Sequence, residues 1–166
     1  PKILRDAGYC TGHFGKWHLG PAPYSPLEHG FDVDWPHWSG PGPAGSYVAP
    51  WKFSKNLSID GAPGQHIEDA LSEQVVKFIH ANKDRPFFLY WSMVIPHANN
   101  ERSRELKDGA HVPDYGPYAD KDWPNPDKGQ AAMITRLDGY VGRMLELLKT
   151  LKLDRNTLVI FTSDNG

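Results

Sequence analysis

The sequence has 166 residues with a formal net charge of −2, 39% hydrophobic residues and one cysteine. That length supports one domain with a real core, and the near-neutral balance gives a polyanionic nucleic acid no reason to bind. Cys10 excludes an internal disulfide, no apolar run is long enough to cross a bilayer, and 15 prolines beside 16 glycines point to a loop-rich globular chain.

The chain opens on Pro1 inside a helical pattern and closes on "SDNG" directly after an apolar run, which reads as a segment of a longer protein. "KILRDAG" reads as the last turns of a helix stopped by Gly8. "YCTGHFGKWHL" follows as a strand that runs into a loop. Residues 20 to 64 carry many Pro, Gly, Trp and His residues and show no period, so a long irregular stretch is expected. From Gln65 the apolar residues Ile67, Leu71, Val75, Phe78 and Ile79 recur at helical spacing, with Glu68, Asp69, Glu73 and Lys77 on the opposite face. This helix should end near Lys83. "PFFLYWSMVI" reads as a strand buried on both faces, stopping at Pro96-His97. Residues 98 to 126 read as a second long loop. A second helix is expected over roughly 127 to 152, with Ile134, Leu137, Val141, Met144, Leu148 and Leu151 as its apolar stripe. "NTLVIFTSDNG" reads as the next buried strand.

This order predicts an α/β fold, a mostly parallel central sheet flanked by helices. In such sheets ligands sit outside the carboxyl ends of the strands. Three polar clusters fall there: Lys16 with His18, His97, and Asp164 with Asn165. On an extended segment Lys16 and His18 would share a face and His13 and Trp17 would point away. A lysine supplies fixed positive charge and a histidine exchanges protons near neutral pH, a pairing suited to an anionic ester. Taken alone, the pair reads first as a solvated lysine and a packed histidine. His97, directly after a buried strand, can serve as the acid for a leaving group, or be a hydrogen-bonded loop residue. Asp164 and Asn165 offer hard oxygen ligands for Ca²⁺ or Mg²⁺, although Asp-Asn-Gly is also a favoured turn. His29, His37 and His111 have no comparable context, and His66 and His80 are expected on helix surfaces. Trp35, Trp38 and Trp51 could stack on sugar rings or pack beneath their loop. Asn56-Leu57-Ser58 is a glycosylation sequon.

The motifs "LRDAGYCTGHFGKWHLG", "GFDVDW", "IPHANNE" and "TRLDGYVGRMLELLKTLKLDRNTLVIFTSDNG", in that order, resemble the sulfatase family of the alkaline-phosphatase superfamily across essentially the whole chain. The resemblance implies that residues 1–166 are part of a sulfatase catalytic domain with an alkaline-phosphatase-like fold. It implies that the parent protein hydrolyses sulfate esters, with a sulfated carbohydrate as one substrate class. It assigns sulfate binding to Lys16, breakdown of the sulfated nucleophile to His18, a contact near the leaving oxygen to His97, and calcium binding to Asp164 and Asn165. It also implies a formylglycine nucleophile and a periplasmic, secreted or lysosomal location. The family's Cys/Ser-x-Pro-x-Arg nucleophile motif does not occur in this sequence, and Cys10 does not start one. The early pair of metal-binding aspartates and a second lysine are missing too, so residues 1–166 alone are expected to be inactive. Two alternatives stand beside this reading: a phosphatase, phosphodiesterase or phosphonate hydrolase of the same superfamily, and a non-catalytic metal- or glycan-binding relic.

Overall fold

The computed structural model describes residues 1–53, 57 and 59–164. Its centre is a parallel sheet of three strands, β1 (Cys10–Gly15), β2 (Val33–Trp35) and β3 (Phe87–Ser92), in the order β2-β1-β3. A short helix α1 (Lys2–Asp6) precedes β1, and the chain leaves it through Ala7 and a Gly8 with φ of 90°. The register places His13 opposite both Asp34 of β2 and Tyr90 of β3.

One face of the sheet carries the core. Helix α2 (Ile67–Asn82) lays Ile67, Leu71, Val75, Phe78 and Ile79 against it, all buried as the helical spacing predicts. Gly12 makes the close approach possible, since a Cβ there would fall 2.8 Å from the Phe78 ring. Helix α4 (Asn125–Thr150) joins the same face, with Tyr140 beside Trp91 at 6.3 Å between ring centroids. Its buried residues include Met133, Tyr140 and Leu148, while Ile134 is exposed, so the buried stripe is rotated by about one residue at its start from the expected one. The opposite face of the sheet is an aromatic layer, with Phe31 stacked on Phe88 and Tyr90. That layer leaves Tyr90 exposed, so β3 is half-buried rather than buried on both faces, and it ends at Ser92, short of Pro96.

Four further expectations are corrected. The irregular stretch contains β2, a strand of three residues that exists through its pairing with β1. The second loop contains helix α3 (Asn100–Leu106), capped by the Asn99 side chain, which accepts the Arg102 N–H at 3.0 Å. His66 and Glu68 are fully buried, not on a helix surface. The His66 ring accepts the Glu68 N–H, and Asp69 accepts the His66 N–H at 3.1 Å, so a capping box draws the start of α2 inward.

The expected last strand is the largest correction. Leu158, Val159, Ile160 and Phe161 are exposed and pair with no strand among the described residues. An apolar run becomes a buried strand only where another edge receives its backbone, and none does so here. Asn56 and Ser58 of the sequon and Asn165 lie outside the described residues. Trp51 is buried with its indole N–H donated to the Tyr47 carbonyl, and Trp35 and Trp38 pack against the core, so these rings support their loop. No helix among the described residues is long and apolar enough to cross a membrane.

Candidate active site

Because the three strands are parallel, their carboxyl ends share one edge. The segments carrying Lys16, His37 and His97 all emerge there. The ends of β1 and β3 are tied together: the Lys16 N–H donates to the Ser92 carbonyl at 2.9 Å. Gly15 permits this contact, because its φ of 112° is left-handed and a Cβ there would collide with that same carbonyl.

Beyond Gly15 the chain is no longer extended, and His18 has a φ of 60°. The expected shared face of Lys16 and His18 therefore has no strand geometry behind it. Lys16 lies partly buried in a small pocket with Pro36, Trp38 and Pro43, and His18 is exposed. His97 is exposed five residues after β3, and its Nδ1–H donates to the Ala98 carbonyl at 2.6 Å. That bond orients the ring and leaves Nε2 for proton exchange.

Beneath the Lys16 turn lies a polar network that the sequence reading did not single out. His13 is buried; its Nδ1–H donates to Asp34 Oδ1 at 2.6 Å. The other oxygen, Asp34 Oδ2, accepts the Nδ1–H of His37 at 2.8 Å. His13 Nε2 lies 3.0 Å from the Ser92 hydroxyl oxygen and 3.2 Å from the Lys16 carbonyl oxygen. The available signal was the spacing of "GHFGKWH" and "GFDVDW": once β1 and β2 pair in parallel, His13 and Asp34 meet.

A second buried group reaches the segment that leads to His97. The Glu68 carboxylate accepts the Val94 N–H, and burial pushes its pKa up to about 7. His66, at the cap of the same helix, is held the other way: burial lowers its pKa to about 4.

Asp164 stands exposed at the end of the unpaired segment. Among the described residues no three His, Cys, Asp or Glu side chains gather closely enough to hold a metal ion. A carboxylate and an amide oxygen suit calcium chemically, but Ca²⁺ takes six to eight oxygens, so Asp164 and Asn165 could be only part of a centre.

A family model described as Sulfatase matches residues 1–166, the whole chain. The chain belongs to the sulfatase family. It is 32% identical to the N-acetylgalactosamine-6-sulfatase of Mus musculus, covering 100% of this chain and 32% of that protein. It is 28% identical to the arylsulfatase A of Homo sapiens, covering 99% of this chain and 34% of that one. The chain thus spans about a third of the length of these relatives. Among solved structures, Ps i-CgsB in complex with k-i-k-neocarrahexaose matches with a TM-score of 0.66 and 25% identity, over 92% of this chain and 36% of that one. The parallel sheet with its helices is therefore a partial sulfatase fold of the alkaline-phosphatase type.

Proposed function

We propose that the protein containing this chain hydrolyses sulfate esters, and that Lys16, His18 and His97 act at its catalytic edge. The observation that carries this reading is the bond from the Lys16 N–H to the Ser92 carbonyl, which joins the GKWH turn to the strand that leads to His97. At that edge the Lys16 ammonium would bind the sulfate oxygens and balance charge gathering on them in the transition state. His97 would give a proton from Nε2 to the leaving oxygen, its ring held by the Ala98 carbonyl. His18, exposed next to Lys16, would exchange the proton needed to complete turnover. Asp164 and Asn165 would supply two oxygens to a calcium ion, whose positive charge would help to stabilise the reacting sulfate. A formylglycine would supply the nucleophile; no residue of this chain does.

The names of the relatives favour a sulfated carbohydrate as substrate, since one is an N-acetylgalactosamine-6-sulfatase and a solved neighbour holds a hexaose. The test is an assay of the full-length protein with 4-nitrophenyl sulfate and 4-nitrophenyl phosphate side by side. The expected result is turnover of the sulfate ester, lost on exhaustive chelation with EGTA and restored by calcium. Preference for the phosphate ester would move the reading to a phosphatase of the same superfamily. Turnover unaffected by chelation would remove Asp164 and Asn165 as calcium ligands.

A further inference from the structure

We propose that His13 is a positioning residue for Lys16: held by Asp34 and Ser92, its ring fixes the Lys16 main chain and with it the aim of the ammonium group. The inference rests on the reading that Lys16 binds the sulfate. Lys16 follows a glycine that has no side chain to pack, so the turn out of β1 needs other restraints. The structure supplies three. The Lys16 N–H donates to the Ser92 carbonyl. The Lys16 carbonyl accepts from the Ser92 hydroxyl. The same carbonyl oxygen lies 3.2 Å from His13 Nε2. The Ser92 hydroxyl hydrogen is already given to this carbonyl, so the contact holds with Nε2–H as donor. The ring donates from both nitrogens, Nδ1–H to Asp34 and Nε2–H to Lys16.

His13 is itself immobilised. It sits on β1 opposite Asp34, which takes its Nδ1–H at 2.6 Å. The second Asp34 oxygen is occupied by His37, so the carboxylate cannot turn away without breaking both bonds. Trp17, Phe31 and Tyr90 enclose the ring at centroid distances of 5.2 to 5.6 Å.

Packing alone does not account for this choice of residues. A leucine or methionine at position 13 would fill an aromatic-walled site without burying an imidazole and a carboxylate, whose desolvation is costly. What the polar pair adds is a directed contact to the backbone of Lys16. A side chain on a long flexible stem gains accuracy when its main chain is held on both sides.

The test is a double-mutant comparison in the full-length protein, with kcat/KM for 4-nitrophenyl sulfate as the readout and thermal midpoints recorded beside it. His13→Leu and Ser92→Ala are each combined with Lys16→Met. If His13 acts through Lys16, His13→Leu lowers kcat/KM by tenfold or more in the native background and by less than twofold once Lys16→Met is present. Ser92→Ala should show the same pattern with a smaller loss, and His13→Gln, which keeps a polar group near Nε2, should recover part of the activity. If His13→Leu does not fold, His13→Gln with and without Lys16→Met decides the matter by the same comparison. Equal losses with and without Lys16 would overturn the positioning role while leaving the sulfatase reading intact. A Lys16→Met protein as active as the wild type, or a wild type without sulfatase activity, would overturn both.

Discussion

Glu68, the second residue of α2, and His66, its N-cap, are buried ionisable groups, and their protonation shifts run in opposite directions. Folded Glu68 keeps its proton up to about pH 7, whereas the unfolded chain loses it near 4.5. Its contribution to stability therefore falls as pH rises through that window, by about 3 kcal/mol for the full difference. His66 stays neutral in the folded state down to about pH 4, while the unfolded residue takes up its proton near 6.5, so its contribution is lost as pH falls between those values. The two effects oppose each other over much of the same range, and only single variants separate them. Glu68→Gln keeps an acceptor for the Val94 N–H and removes the ionisation. Denaturant titrations of the full-length protein should show Glu68→Gln gaining stability over the wild type from pH 5 to 8, by about 1–3 kcal/mol. A difference that stays flat across that range would show that Glu68 is not buried as a neutral acid. At this scale the position of Lys16 at the strand edge was legible because it follows β1 directly, whereas His97 stands five residues beyond β3 rather than at its end. His13, Asp34 and Ser92 were not legible, because their roles arise from pairing between strands far apart in sequence.

Elements were legible in proportion to how much apolar surface they bury. Helix α2 matches its expected span because five of its apolar residues face the core at helical spacing. Helix α3 was hidden because "NERSREL" has no apolar stripe and buries none of its residues; only the Asn99 cap signalled it. Strand β2 was hidden because three residues are too few to show alternation, and its pairing with β1 defines it. One side chain joins several of these elements. Asp69 accepts the His66 N–H at 3.1 Å and the Tyr140 hydroxyl at 2.6 Å, and lies 3.6 Å from the Arg136 guanidinium. It thus caps α2 and fastens α4 to it. Asp69→Ala should destabilise the protein by about 2 kcal/mol, the sum of a lost cap and a lost, partly buried hydrogen bond. Thermal unfolding of the variant checks this, and a midpoint within a degree of the wild type would show that α4 is held by apolar contact alone.

For the whole molecule, the fold class could be read from the order of helices and strands. The fate of the last apolar run could not, because a strand's burial depends on a neighbour rather than on its own residues. Leu158 to Phe161 stand exposed in a chain that spans about a third of its relatives' length. Exposed strand-forming residues of this kind recruit other chains. The 166 residues expressed alone should therefore associate in light scattering and turn over no sulfate ester, since they contain no nucleophile motif. Monodisperse behaviour together with turnover would contradict both statements.

The central claim is that Lys16 is the fixed cation of a sulfate site at the carboxyl edge of the sheet. It is tested most directly by kcat/KM of the full-length protein and its Lys16→Ala variant on 4-nitrophenyl sulfate. The expected result is a loss of well over tenfold, more than about 1.4 kcal/mol of transition-state stabilisation, with the thermal midpoint unchanged. A loss of less than tenfold would mark Lys16 as an ordinary lysine beside the sheet and contradict the claim.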